Sequence, residues 1–427
     1  MKKETNEMLT SLYTAISGLS ANGVSLSVIG DNIANLNTTG FKSSRASFGD
    51  VLSQTLDGVS GSSQVGRGVL VSNISPLFTQ GSFESTQSAL DLAIDGNGFF
   101  VVNDGGANYY TRAGQFSMDK DGNIVNPDGL NLQGYLADGS GNITSNMGNL
   151  KVENTQSPAH ATSAATISLN LDATSAIQTT PFTLDGHGTG TNDDPANYNY
   201  SSTTTVYDSQ GGAHDVTLYY EKTGDNAWTV HYVHQDPTNP DLLVEDGSQS
   251  LTFDQNGALI DDNSGTPIDF NFGANVSSPQ SVAFNYGTGT GETPPGSGLD
   301  GTTQFASDFA VMSQTQDGYA AGTLKDVSIS QDGVISGVFT NGQTRAIGQV
   351  ALAKFSAPEQ LTKMGKNLFA ASYDSGQPIV DKANTSGLGR VLSDTLELSN
   401  VDLASEFVNM ISAQRGFEAN SKVITTT

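Results

Sequence analysis

Five histidines, His160, His187, His214, His231 and His234, are the side chains of this chain best suited to metal ligation or proton transfer. His231 and His234 stand three apart in "TVHYVHQD". On a strand that spacing sends them to opposite faces, so they make poor joint ligands and read as structural or solvent-exposed. "DKDGN" (residues 119–123) begins like a calcium loop but lacks the later ligands and the terminal bidentate Glu, and a hairpin turn is the better account. "GTGTG" (287–291) and "DGHGTG" (185–190) have the composition of phosphate loops, yet neither lies between a strand and a helix with Lys-Ser/Thr following. Nothing fixes a serine nucleophile beside a base, and no G-x-S-x-G elbow is framed by a strand and a helix. The chain is therefore expected to hold no catalytic, cofactor-binding or metal site and is not read as an enzyme.

The chemistry that remains is association. In "SNVDLASEFVNMISAQRGFEANSKVITTT" (399–427), Leu403, Phe407, Met410, Phe417 and Ile424 recur at helical spacing and lay an apolar stripe along one face. In "LTSLYTAISGLSANGVSLSVIGDNIANLN", which begins at residue 9, Leu9, Leu12, Ile16, Leu19, Gly23, Leu26, Gly30 and Ile33 keep a heptad pattern. Such a seam would let helices approach closely at Gly23 and Gly30. Each glycine costs a helix ~1 kcal/mol relative to Ala, so this helix is marginal alone. Its outer side carries Thr, Ser, Asn and Gly in place of Lys and Glu, which suits a helix surrounded by other helices. The eleven apolar side chains of the two seams are the candidate subunit-packing residues. Burial of both helices inside the same monomer is the plainer alternative.

Composition narrows the partners. The 427 residues hold 18 Lys and Arg against 44 Asp and Glu, a formal net charge of -26, which would repel a nucleic-acid backbone or an anionic membrane. Only 15% of residues are charged, so small polar residues make up much of the surface, as in extracellular β-rich proteins. No cysteine is present, which removes disulfides, thiolate metal sites and cysteine nucleophiles together. After "MKKETNEM" there is no continuous apolar core with a small-residue cleavage site, so no secretory signal peptide is read there. Residues 9–30 are uncharged but too often interrupted by Ser, Thr and Asn for a membrane span. Export, if it occurs, needs another route.

Between the helical ends the pattern is β. "LDLAIDGNGFFVV" (90–102), "FSMDKDGNIVN" (116–126) and "VSISQDGVISGVFTNGQT" (327–344) each place Asp-Gly or Asn-Gly between strand-like runs, a hairpin signal. A second β-rich set includes "TTTVYDSQGGAHDVTLYYEK" and "AWTVHYVHQD". "NYGTGTGETPPGSGLDGTTQ" (285–304) has the composition of a flexible surface segment. The expected fold is multidomain and mainly β with terminal α-helices. Residues 1–36 with 395–427 would form a coiled-coil-like inner helical domain and 37–77 a linker ordered only on assembly. Residues 78–159 with 320–394 would form a first β-rich domain, and 160–319 a second, inserted outside it.

Four blocks carry a resemblance: "NIANLNTTGFKSSRASF" (32–48), "FTQGSFESTQSALDLAIDGNGFFVV" (78–102), "YTRAGQFSMDKDGNIVNPDGLNLQGY" (110–135) and the C-terminal block quoted above. On these the chain resembles the bacterial flagellar axial rod and hook proteins. "VYDSQGGAHDVTLYY" (206–220) and "LTFDQNGAL" (251–259) look like the outer domain of the hook member. The resemblance begins at Met8 and implies that the last helix of relatives runs on past Thr427. It further implies a homopolymer exported by the flagellar type III apparatus, extracellular in the hook, without cofactors and without membrane insertion. The polymer would be a curved tube acting as a universal joint, with the distal rod protein, hook cap and hook-filament junction proteins as partners. A distal rod protein and, from a different class, a secreted β-rich adhesin or glycan-binding module remain as alternatives.

Overall fold

A computed structural model of the chain describes residues 2–51, 67–152, 156–184, 197–239 and 241–426, with side chains from residue 11 onward. Helix α1 spans Lys2–Ala34 and helix α2 spans Leu403–Thr426. Asp402 caps α2: its carboxylate accepts from Ser405 N at 2.8 Å, and the same backbone N–H holds that carboxyl below the usual aspartate range. The chain divides into two compact units. Unit 1 comprises Met1–Thr155, Lys325–Val338 and Thr344–Thr427; unit 2 comprises Gln156–Leu324 and Phe339–Gln343.

Unit 1 carries both helices and an antiparallel sheet. Its strands run in the spatial order Val334–Phe339, Thr344–Lys354, Asn131–Ala137, Phe99–Asn103, Asn108–Thr111, Leu368–Ala370 and Thr362–Gly365. The central strand "FFVV" is buried on both faces, as its continuous apolar run requires. Phe99, Tyr110, Phe355 and Phe369 pack edge-on in one cluster, with the Tyr110 and Phe355 ring centroids 4.7 Å apart.

Unit 2 stacks a five-stranded antiparallel sheet on a four-stranded one. The first is ordered Tyr200–Tyr207, Ala213–Gly224, Ala227–Gln235, Leu243–Phe253, Leu259–Asp261; the second Ile268–Phe270, Gln280–Asn285, Ala164–Asn170, Ala310–Gln316. Their inward residues form one core around Trp228, Tyr232, Phe270 and Phe284. The indole N–H of Trp228 donates to Gln304 Oε1 at 3.0 Å, so the largest buried ring leaves no polar atom unpaired.

One turn recurs in both units. At Asp119, Asp138, Asp208 and Asp254 the carboxylate accepts the backbone N–H groups two and four residues on. The glycine three residues on takes φ between +81° and +87°. These are five-residue turns with a left-handed fourth position, where Gly escapes the Cβ penalty. "DKDGN" is such a turn, joining Ser117–Met118 to Ile124–Val125.

Three sequence expectations need correction. "DGNG" at residues 95–98 is no hairpin, because Ala93–Asp95 pairs with Arg390–Leu392 while Phe99–Asn103 pairs with Asn108–Thr111. A Cβ on Gly96 would lie 3.0 Å from Gly389 Cα, so the glycines serve a close crossing of two chains. Of the expected linker 37–77, residues 52–66 lie outside the described ones, and the rest is more than a linker: strands β1 (Ser44–Asp50) and β2 (Val69–Pro76) form an antiparallel ribbon against α1. Asn32 and Ser44 exchange two 2.9 Å hydrogen bonds, and Val69 N donates to Ser17 Oγ at 3.2 Å. The ribbon is thereby fastened to the helix within the subunit. Finally, 285–304 is a docked loop. Thr290 N and Gly291 N donate to Leu259 O and Ile260 O, Thr302 N donates to Tyr286 O, and a Cβ on Gly289, Gly296 or Gly301 would strike a carbonyl oxygen at 2.1–2.2 Å.

Candidate functional site

The two helices pair antiparallel, and their close approaches are made by glycine facing asparagine. A Cβ on Gly18 would lie 2.8 Å from Asn420 Nδ2, and one on Gly416 would lie 2.9 Å from Asn22 Oδ1. Farther along, Asn32 Nδ2 donates to Glu406 Oε1 at 2.9 Å. Asn22 Nδ2 also donates to Gly18 O at 2.8 Å, which holds its side chain against the helix. The covered face of α2 is thus Glu406, Met410, Ala413, Gly416, Asn420 and Ile424, at spacings of three and four.

This seam coincides only in part with the one the apolar pattern points to: Met410 and Ile424 lie on it, and the other stripe residues of α2 do not. Ile16, Leu403, Phe407 and Phe417 are 46%, 39%, 48% and 37% exposed. Leu12, Leu19, Leu26, Ile33, Met410 and Ile424 are half-buried, and the side chain of Leu9 lies outside the described ones. A Cβ on Gly23 or Gly30, the glycines expected to allow close approach, would meet no atom within 4 Å; Gly18 and Gly416 take that part. The physical reason is that a glycine facing an asparagine lets the backbones come together and leaves the large side chains on the flanks. Sequence reading also passed over Tyr13, Val408, Ile411 and Val423, all exposed, and Phe48, Leu70 and Ile74 on the ribbon. Val408 and Ile411 extend the Phe407 stripe at the same helical spacing and were readable from it.

Where both chain ends meet the sheet, a buried ionic cluster holds them. Glu397 Oε1 accepts from Lys42 Nζ at 2.6 Å, Gln80 Nε2 at 2.7 Å and Gly81 N at 2.9 Å, and Oε2 accepts from Arg112 at 3.3 Å. Both Lys42 and Glu397 are wholly buried. Burial pushes the Lys42 ammonium below the usual lysine range, and the charge of Glu397 opposes that shift. Arg112 also donates to Gly96 O at 2.8 Å, while its Nε has no hydrogen-bond partner among the described residues. Lys42, Gln80 and Arg112 lie in the first, second and third of the four resemblance blocks, and Glu397 stands just before the fourth. Segments far apart in the chain therefore converge on one carboxylate.

Beside α1 lies a groove of about 550 Å³ lined by Gly23, Val24, Val28, Asp31, Ile74 and Lys363, among others. Lys363 Nζ donates to Ser44 Oγ at 2.6 Å, and burial holds its pKa below the usual lysine range.

Three of the histidines that could have served catalysis or metal binding pair with carboxylates inside unit 2, and His187 lies outside the described residues. His231 lies between Glu221 and Glu245 at 3.1 and 2.7 Å, and His234, on the other face of the strand, pairs with Asp246. His214 pairs with Asp208 at 2.8 Å. Asp261, Asp262 and Glu292 bring carboxylate oxygens within 4.8 Å of one another. Asp262 accepts from Tyr286 N and Glu292 from Gly289 N, so these groups already brace the loop. "DGHGTG" lies outside the described residues. The stretch Ser11–Ala34 is long and apolar enough to cross a membrane by length and composition alone, contrary to the sequence expectation; here it is packed against α2 and the ribbon.

Four family models match in chain order: the flagella basal body rod protein (residues 12–42), the flagellar hook protein FlgE/F/G D1 domain (93–175), the flagellar basal body protein FlaE D2 domain (170–319) and the flagellar basal body rod FlgEFG protein C-terminal (392–427). The flagellar hook protein FlgE of Escherichia coli is 37% identical over 96% of both chains, and that of Borreliella burgdorferi is 36% identical over 98% of this chain and 97% of its own. The crystal structure of Helicobacter pylori flagellar hook protein FlgE2 shares the fold at a TM-score of 0.54 and 15% identity, covering 74% of this chain and 100% of that one. With paired terminal helices, two β-rich units and this likeness over nearly its whole length, the chain belongs to the flagellar hook protein FlgE family.

Proposed function

We propose that the chain polymerises through its terminal helices into the bacterial flagellar hook, a curved, flexible tube that acts as a universal joint between rod and filament. The observation that carries this reading is the uncovered apolar stripe Leu403, Phe407, Val408 and Ile411, on a helix whose contact with its own α1 is already made by other residues. An exposed stripe of that kind marks an association surface. The subunit-packing residues would be the eleven read from the sequence, Met410 and Ile424 among them only through the surface that α1 leaves open, together with Val408 and Ile411. The helices would form the inner layer of the tube, and residues 78–159 with 320–394 and residues 160–319 would be its two β-rich domains. The role is structural rather than enzymatic, and the place is the extracellular part of the flagellum. Export by the type III apparatus and contacts with the distal rod, hook cap and hook-filament junction proteins complete the reading.

A distal rod subunit is the second reading, favoured by the matches of both chain ends to rod-protein models. Electron microscopy of concentrated full-length protein tests both. Curved tubes support the hook, straight ones the rod, and isolated particles under all conditions overturn polymerisation.

A further inference from the structure

We propose that Glu397 is a positioning residue for assembly: its carboxylate gathers both chain ends and sets the direction in which α1 and α2 leave the sheet. The inference rests on the assembly reading above. Four donors from three segments meet on this one side chain. The peptide oxygen of Glu397 adds a fifth contact, accepting from Gly40 N at 2.7 Å. Among the described residues, Glu397 is the carboxylate with which Lys42 and Arg112 pair. Neutralising it would leave two buried cations facing each other, which is strongly unfavourable where water cannot enter.

Little slack separates this cluster from the helices. On the C-terminal side, Asn400 Oδ1 accepts from Ser43 N at 2.8 Å while Asn400 Nδ2 donates to Leu77 O at 2.8 Å, and Asp402 caps α2 two residues later. On the N-terminal side, Asn32 clamps the last turns of α1 to Ser44. A displacement at Glu397 therefore reaches both helix ends through fixed hydrogen bonds, although the described partners of the carboxylate, Lys42, Gln80, Gly81 and Arg112, are not on the uncovered apolar stripe.

The test is Glu397→Gln in the full chain. Glutamine keeps an acceptor for Gln80 and Gly81 but brings no charge and turns an N–H₂ toward the cations. Because the chain has no cysteine, Ser412→Cys on α2 and Ser117→Cys on the sheet can be spin-labelled as a unique pair, and pulsed electron paramagnetic resonance reads their separation. Expected are a narrow distribution for the native side chain, a broad one for Glu397→Gln, and at least a tenfold rise in the protein concentration needed for tubes. Emission of Trp228, the sole tryptophan and deep in unit 2, should not change. A variant with native distances, or one with broadened distances that still forms tubes at the native concentration, overturns the proposal. If the unvaried chain forms no tubes, the assembly reading falls, and the distance distributions alone decide whether Glu397 positions the helices. If circular dichroism shows that Glu397→Gln loses the sheet of unit 1, Lys42→Gln decides instead: it leaves the Glu397–Arg112 pair, and native assembly by that variant overturns the proposal.

Discussion

Asn420 of α2 fills the space where Gly18 of α1 lacks a side chain, and four residues along the pair the arrangement reverses, with Asn22 filling the space at Gly416. Ten residues farther, the Asn32–Glu406 hydrogen bond keeps the same antiparallel register. Knob and hollow change sides, so the pair can settle in one alignment only. Gly18→Leu is expected to overpack this contact and cost about 1–3 kcal/mol of helix pairing. Cysteines introduced at positions 14 and 424 and tested for cross-linking would check it, since the native register should link them and the variant should not.

Phe407→Asp addresses the uncovered stripe. With the ring 48% exposed, the subunit itself should change in stability by no more than about 0.5 kcal/mol. In a closely packed interface the new carboxylate would have no partner, so tube formation should be abolished. Leu12→Asp, at a half-buried position, should do the same with a larger loss of helix content. Sedimentation and circular dichroism of each variant separate the two effects.

The helices and the two β-rich regions were legible because periodicity and turn chemistry are local. "DKDGN" declared its hairpin through an Asp and a Gly that satisfy the turn by themselves. "DGNG" at 95–98 misled for the complementary reason: the same residue types serve a long-range crossing against Gly389, which no window of neighbouring residues contains. The Gly-rich stretch 285–304 misled likewise, since its glycines admit carbonyl oxygens rather than motion. The helix faces were half legible. Heptad counting found the apolar residues, but the choice between an intrachain and an interchain seam turned on Gly18, Asn22, Gly416 and Asn420, which a hydrophobicity pattern scores as background. Glu397 gave no local signal, because its partners lie hundreds of residues away.

Acid should unfold unit 2 through its turns. Backbone N–H of Ala258, then the Asn256 side chain, hold the Asp254 carboxyl below the usual aspartate range. A carboxyl depressed in the folded state adds stability above its unfolded value of about 3.9, and that contribution is lost as pH falls through the lower folded value. Asp254→Asn is therefore expected to lower stability at neutral pH and to flatten the decline below about pH 4. Trp228 fluorescence followed through an acid titration would show both, and an unaltered titration curve would contradict the assignment.

Salt should promote assembly. Lys222 is the only Lys or Arg in unit 2, and its ammonium is spent on the carbonyls of Ala173 and Ser175. Neighbouring copies of unit 2 can therefore offer one another carboxylates but no exposed cation of their own. Shortening the Debye length from about 30 Å at 0.01 M salt to about 8 Å at 0.15 M weakens that repulsion. The concentration needed for tubes should fall as NaCl rises over this range. An interface held by ion pairs would respond in the opposite direction, so turbidity against salt distinguishes the two.

Gly23 provides the sharpest contrast between subunit and polymer. It lies on the groove beside α1, and a Cβ there would meet nothing within 4 Å in the chain's own fold. In an isolated subunit, Gly23→Ala should stabilise the helix by about 1 kcal/mol, because alanine loses less backbone freedom on folding and nothing opposes it. If a neighbouring copy's helix enters the groove in the tube, the added methyl occupies space that the neighbour needs. Thermal melting of the subunit should then rise while the concentration needed for tubes also rises, two effects of opposite sense from one methyl group. Gly18→Ala, where the methyl would meet Asn420 within the same chain, should not raise the melting temperature in this way. A Gly23→Ala chain that melts higher and assembles more readily would show that the groove stays open in the polymer.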